Sequence, residues 1–157
     1  MDKTPAILIG VIGARDCDEA TYEHARRVGE LLAGHGFGLI CGGLSGVMEA
    51  ACKGAFEAGG VTVGVLPGDS PDAANPYVRF RIATGMGIAR NVIIVRSSAA
   101  VIAISGGAGT LSEIAHCLQL DVPIVGLDTH DVSPGIAQVA TPEEAVERAV
   151  AMAGGYP

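Results

Sequence analysis

Aromatic side chains are scarce in this sequence: they make up 4% of its 157 residues, and there is no Trp. A core without large rings has to be filled by Val, Ile, Leu and Ala, which suits a buried parallel sheet flanked by Ala-rich helices. Basic residues are outnumbered, 10 Lys and Arg against 17 Asp and Glu, for a net charge of −7. Polyphosphate backbones select a basic surface, so this balance argues against nucleic acid as a partner. Cys17, Cys41, Cys52 and Cys117 form no CxxC pair and have no His at ligand spacing, so neither a zinc site nor a disulfide framework is indicated. They read as reduced, mostly buried thiols. The scattered His24, His35, His116 and His130 show no metal spacing either, and no metal site is expected. The start, Met-Asp-Lys-Thr-Pro, lacks a basic region, an apolar run and a small-residue cleavage site, and no later apolar run reaches the ~18 uninterrupted residues of a span. A cytoplasmic protein with no membrane partner is expected.

What is present fits one globular domain over residues 1–157, with 49% hydrophobic and 17% charged residues. Strand and helix patterns alternate from the first residues, which points to an α/β fold of Rossmann-like type, a doubly wound, mostly parallel sheet between helices. Strands are predicted at 6–12, 37–41, 61–66, 99–104 and 123–127, with a short, half-exposed one at 78–82. Helices are predicted from Asp18, as N-cap, to His35, with Gly36 as the stop, from the 42–46 turn to Ala58, and from Thr110 to about Leu120. The last helix runs from Pro142 to about Ala153, with Thr141 as N-cap and Glu144 completing a capping box. The segment 86–98 fits helix or strand by pattern, and reads as helix because strand 99–104 follows too closely for two central strands to be joined. Residues 67–76 form a polar loop long enough to bind something.

Charge is unevenly placed. Between Asp72 and Glu113 there is no acidic residue, while Arg79, Arg81, Arg90 and Arg96 lie in that interval. An acidic chain that keeps one positive segment fits a small bound anion, although arginines snorkelling from element edges would look the same.

Two glycine loops share one construction. Strand 37–41 runs into Gly42-Gly43-Leu44-Ser45-Gly46, and strand 99–104 runs into Ser105-Gly106-Gly107-Ala108-Gly109-Thr110, each directly before a helix. Glycine lets the backbone turn sharply and approach a ligand, and the first helical amides offer unpaired N–H groups at the positive end of the dipole. A phosphate-bearing small molecule is the expected ligand. Gly-Gly turns also connect strands to helices in any tightly wound α/β protein. Two of them, with the arginine-only interval between, favour the phosphate reading, and the loop at 106–110 is the stronger cradle. Gly13 and Arg15, just after the first strand, would face the same sheet edge.

Neither loop ends in Gly-Lys-Ser/Thr, which excludes a P-loop. Gly107-Ala108-Gly109-Thr110-Leu111-Ser112 with Asp128 after the next strand nearly matches the dinucleotide fingerprint, but Ser112 stands at the third glycine and little chain remains for a second half. Thr110-Leu111-Ser112-Glu113 is on spacing alone a capping box; alternatively Glu113 is a carboxylate one turn into the helix, beside the cradle. Asn75 and Tyr77 would serve either a turn or contact with a base.

Gly106-Gly107-Ala108-Gly109-Thr110-Leu111-Ser112-Glu113 resembles the GGxGTxxE signature of the lonely-guy (LOG) family, formerly labelled lysine decarboxylase-like, and Gly42-Gly43-Leu44-Ser45-Gly46-Val47-Met48 resembles its GGxxGxM loop. The motif order extends over roughly residues 6 to 127. The subgroup it looks most like is the small bacterial Rossmann-fold nucleotide-binding proteins that also resemble molybdenum cofactor carriers. The resemblance implies a phosphoribohydrolase that cleaves the N-glycosidic bond of a nucleoside 5′-monophosphate, giving free base and ribose 5-phosphate. Glu113 and Arg90 would be the catalytic pair, with Gly107, Gly109 and Thr110 cradling the phosphate. Two departures favour the alternative of a non-catalytic carrier or sensor of molybdenum cofactor or another nucleotide-derived ligand. Ser105 replaces the proline that opens the signature, and Gly87-Ile88-Ala89-Arg90-Asn91 keeps only the arginine of Met-His-x-Arg-Lys. No cofactor beyond a bound nucleoside monophosphate or molybdopterin-type ligand is implied. The decarboxylase label fits worst, since the only lysines are Lys3 and Lys53. The resemblance, with the apolar helix 86–98, also implies a homodimer or a higher homo-oligomer.

Overall fold

A computed structural model describes residues 6–154; Lys3 lies outside them. The strands are β1 (Leu8–Gly13), β2 (Gly38–Cys41), β3 (Thr62–Leu66), β4 (Phe80–Ala83), β5 (Ala100–Ile104), β6 (Ile124–Leu127) and β7 (Ile136–Val139). They form one sheet in the order β4-β3-β2-β1-β5-β6-β7, and every neighbouring pair is parallel. The helices are α1 (Glu19–Gly34), α2 (Val47–Glu57), α3 (Asn91–Arg96), α4 (Ala108–Gln119) and α5 (Pro142–Ala153).

Side chains alternate across the central strands, so the sheet has a core on each face. Ile9 and Val11 point to the side covered by α1, α2 and α5, where Val28, Leu32, Ala51 and Ala149 are fully buried. Ile12 and Val101 point to the other side, under Ile94 of α3 and Ile114 of α4. Each fully buried Ile or Leu contributes about 1.5–3 kcal/mol relative to an exposed one, which is why aliphatic residues suffice without large rings. The helix ends follow the expected chemistry. Asp18 accepts from the Thr21 amide at 2.8 Å, a cap that contributes about 1 kcal/mol, and Gly36 takes φ +81 beyond α1. At α5, Thr141 accepts from the Glu144 amide at 3.2 Å, while the Glu144 carboxylate reaches the Ala140 amide at 3.0 Å.

Four expectations change. The segment 86–98 is helical, but begins as a 3-10 turn over Gly87–Arg90 before α3. Helix α4 starts at Ala108, with Gly107 as an N-cap that has no side-chain bond, so Thr110 lies inside the helix and the capping box at 110–113 does not form. All four residues of β4 are exposed, where the sequence pattern predicts a half-exposed strand. Strand β7 is an addition to the predicted elements: Ile136–Val139 is a short run following a polar stretch, and β6 supplies the pairing that makes it a strand.

The chain leaves β1 toward β2 on one side and β5 toward β6 on the other. This reversal opens a crevice at the carboxyl ends of β1 and β5, where open α/β sheets bind ligands. No helix among the described residues is long and apolar enough to cross a membrane.

Candidate functional site

The crevice holds a cavity of about 550 Å³, within the range of small-molecule sites. Its walls come from the loop after β1 (Gly13, Arg15, Asp16), from Gly87 to Asn91 at the start of α3, and from the first turns of α4 (Gly107, Gly109, Thr110, Glu113). Leu44 and Met48 close it from the side of α2. Elements distant in sequence meet here because each follows a strand whose carboxyl end faces this edge.

The loop at 105–107 turns through a narrow passage. Ser105 has φ +53 and Gly106 has φ +113, and a Cβ on Gly106 would overlap the Thr110 side chain, so only glycine fits. Gly107 differs. Its φ of −111 is open to any residue, and a Cβ there would meet nothing within 4 Å. Gly109, inside α4, also faces empty space, although Gly in a helix costs about 1 kcal/mol against Ala. Neither backbone strain nor packing within the protein accounts for these two glycines. Both border the cavity beside the uncapped amides and positive dipole end of a 12-residue helix, where an anion would be favoured.

Arg90 is buried, 8% exposed, at the opposite wall. Its Nε donates to the Val65 carbonyl at 2.8 Å and its Nη1 to Asn91 Oδ1. Asn91 Nδ2 in turn reaches Ser112 Oγ at 3.4 Å, and Ser112 Oγ donates to the Gly109 carbonyl at 2.7 Å. This chain of bonds fixes the guanidinium relative to α4. Burial pushes the Arg90 pKa down while Glu113 holds it up, and a guanidinium under those influences stays charged. Glu113 is 7% exposed, and no hydrogen bond to its carboxyl is found among the described residues. Burial raises its pKa to about 7, against the opposing pull of Arg90.

Of the residues singled out in the sequence, Gly13, Arg15, Arg90, Gly107, Gly109, Thr110 and Glu113 line the cavity together. Gly42, Gly43, Gly46 and Gly106 do not. Gly42 backs Arg90, a Cβ there coming 2.7 Å from Nη2. Gly43, at φ +75, donates its N–H to Cys41 Sγ at 3.3 Å. Gly46, at φ +66, lets α2 begin against the carbonyls of Ala14 and Arg15. The 42–46 loop thus supports the site from behind. Asn75 serves that support, donating to the Leu44 carbonyl at 2.9 Å, and Tyr77 donates its N–H to Asn75 Oδ1 at 3.1 Å. Arg79, Arg81 and Arg96 are exposed and away from the cavity, as is Asp128, which removes the ribose contact of the dinucleotide pattern.

Sequence reasoning missed Asp16, Asn91 as a partner of Arg90, and His130, whose Nε2 lies 3.2 Å from the Gly107 carbonyl. Asn91 follows the singled-out arginine directly, a signal that was available. His130 gave none, because the β6–β7 loop that carries it has no motif.

Comparison with known proteins agrees with this architecture. A family model described as the SLOG cluster4 family matches residues 6–153. An uncharacterized protein of Archaeoglobus fulgidus is 54% identical over 138 residues, covering 88% of this chain and 91% of that protein. Two solved structures are similar over 96% of this chain and 99% of their own: the molybdenum cofactor binding protein of Rippkaea orientalis, 33% identical with a TM-score of 0.89, and the molybdenum cofactor carrier protein of Chlamydomonas reinhardtii, 34% identical with a TM-score of 0.87.

Proposed function

The chain belongs to the SLOG cluster4 family, and we propose that it is a carrier of a phosphate-bearing pterin of the molybdenum cofactor class, held in the cavity between β1 and β5. One observation carries the reading: Gly107 and Gly109 keep open, at the uncapped start of α4, a space that no other need of the fold explains. The ligand's phosphate sits on the amides of α4, where Thr110 adds a hydroxyl and Arg90 the compensating charge. The pterin extends toward Asp16 and Glu113, whose carboxyl groups match its amino and ring N–H edge. The size of the cavity suits one such molecule. The similarity to two structures whose names describe molybdenum cofactor binding supports this choice of ligand class over a plain nucleotide.

A second reading has one specific observation in its favour. A buried carboxyl with a pKa of about 7 beside a fixed guanidinium suits proton transfer at neutral pH. On a nucleoside 5′-monophosphate, Glu113 would take a proton from water as it attacks C1′. The bond from C1′ to the base nitrogen breaks with its electron pair going to the base, which is protonated as it leaves. One titration separates the two. The protein is mixed with molybdenum cofactor and, separately, with a panel of nucleoside monophosphates, following binding and base release. Tight cofactor binding with no base released supports the carrier. Base released by the wild type and lost in Glu113→Gln supports the hydrolase.

A further inference from the structure

Two sulfurs meet behind the candidate site. Cys41 ends β2 and Cys52 lies in the middle of α2; both are fully buried, and their Sγ atoms stand 3.4 Å apart. Buried cysteines commonly serve as small apolar fillers, and Cys117 packs in that way. Neither Cys117 nor Cys17 has another sulfur within hydrogen-bonding distance among the described residues. The pair at 41 and 52 bridges a strand and a helix. A disulfide holds its sulfurs about 2 Å from one another, so a short approach of two side chains separates this contact from a bond.

The surroundings make the two thiols unequal. Cys52, as donor to Cys41 Sγ, holds the Cys41 thiol below its ordinary pKa; the Gly43 amide at 3.3 Å and the Arg90 charge act in the same sense, against burial and Glu113. The same hydrogen bond, together with burial, pushes the Cys52 thiol far up. Cys41 is therefore the sulfur that forms a thiolate and attacks, and Cys52 the one that resolves. The pair stands close behind the cavity wall. Met48 lines the cavity and lies one helical turn before Cys52 on the same side of α2, while Gly42, which backs the Arg90 guanidinium, directly follows Cys41.

We propose that Cys41 and Cys52 form a reversible redox pair, joined as a disulfide by hydrogen peroxide and reopened by a dithiol, and that closing it shifts Arg90. The Cys41 thiolate attacks one peroxide oxygen and the O–O bond breaks. The oxygen that leaves takes up the proton given by the Cys41 thiol and departs as water. Cys52 then gives up its proton, and its sulfur attacks the Cys41 sulfenic acid; the S–O bond breaks, and hydroxide leaves with that proton as a second water. Two thiols and one peroxide become one disulfide and two waters. Closure draws Cys41 Sγ toward α2 and away from the Gly43 N–H that it accepts. Gly42 lies between those two residues, so the shift reaches Arg90, whose Nη2 would be 2.7 Å from a Gly42 Cβ. None of this depends on which ligand the cavity takes.

Hydrogen peroxide added to the folded, reduced full chain tests it. The readouts are alkylation with peptide mapping, and nitrogen NMR of the arginine Nε groups, with Arg90→Lys assigning the Arg90 signal. Cys41 and Cys52 are expected to lose their alkylation together, in a crosslinked peptide pair lighter by two hydrogens. The Arg90 Nε–H signal, which reports its bond to the Val65 carbonyl, should move, and a dithiol should restore all of these. Cys52→Ala should stop at a Cys41 sulfenic acid that a dimedone-type reagent traps. The proposal is overturned by a wild type whose Cys41 and Cys52 stay alkylatable in excess peroxide while the partly exposed Cys17 is oxidised, by a crosslink that forms only in denaturant, or by a crosslinked protein whose Arg90 signal has not moved.

Discussion

The guanidinium of Arg90 is laid against Gly42, where a Cβ would come 2.7 Å from Nη2 and 2.8 Å from Met48 Sδ. Gly42 borders no part of the cavity, yet it sets where the charge inside it stands. Gly42→Ala is therefore expected to displace Arg90 at a stability cost of about 1–3 kcal/mol, the range for overpacking. Affinity for a phosphate-bearing ligand should fall roughly tenfold or more, as when a charge-assisted hydrogen bond is lost. Calorimetric titration with the molybdenum cofactor, beside urea unfolding, measures both. Unchanged affinity would remove Arg90 from the binding site.

Gly106 and Gly107 are adjacent and predict opposite results. Gly106→Ala meets both a φ of +113 and the Thr110 side chain, so it should lower the unfolding free energy by about 2 kcal/mol or more. Gly107→Val has free space and an ordinary φ, so its thermal midpoint should stay within a few degrees of the wild type while ligand binding disappears. Binding retained by Gly107→Val would mean that the α4 amides are not the anion site.

Glu113 couples stability to pH. Its folded pKa of about 7 lies above the ordinary 4.5 of the unfolded chain. Below 4.5 both states hold the proton. From there up to 7 the unfolded chain loses it first, so stability falls as pH rises through this window and then levels off. The full span amounts to at most about 3 kcal/mol. Glu113→Gln removes the dependence, and should be more stable than the wild type at pH 8 but nearly equal to it near pH 4. Parallel denaturation curves at both pH values would contradict the assignment.

Asn91 holds Arg90, and its two simplest variants separate orientation from charge. Asn91→Ala leaves a buried guanidinium N–H without its acceptor, which should cost about 1–3 kcal/mol of stability as well as affinity. Asn91→Asp restores the acceptor, so stability should recover. The added negative charge competes with the ligand for Arg90, so affinity should remain low. Recovery of both would show that Asn91 acts only by its shape.

The alternation of strands and helices, the parallel sheet and the edge on which the site lies were legible in the sequence, because buried aliphatic runs followed by glycine turns admit few other folds. The site was legible in part. The loops at 42–46 and 106–110 look alike as strings, and only three-dimensional surroundings separate the glycines that pack against protein from those that face a cavity. Gly42 and Gly46 are needed by Arg90 and by the Ala14 and Arg15 carbonyls, whereas Gly107 and Gly109 face open space. The capping-box spacing at Thr110 misled for a related reason: helix α4 begins two residues earlier, turning Glu113 inward into a buried position where a cap would have kept it at the surface. Of the four arginines in the acid-free interval, burial selects Arg90 alone for the cavity, which charge counting cannot do.

The start of α4 is proposed to hold the phosphate of a pterin-type ligand. Native mass spectrometry of the protein purified from cells that make molybdenum cofactor tests it most directly, with wild type and Gly107→Val prepared side by side. The wild type is expected to carry a bound phosphorylated pterin and the folded variant none. A wild type that carries no such ligand when supplied with it, or a variant that retains it equally, would rule out the α4 start as the phosphate site of a pterin.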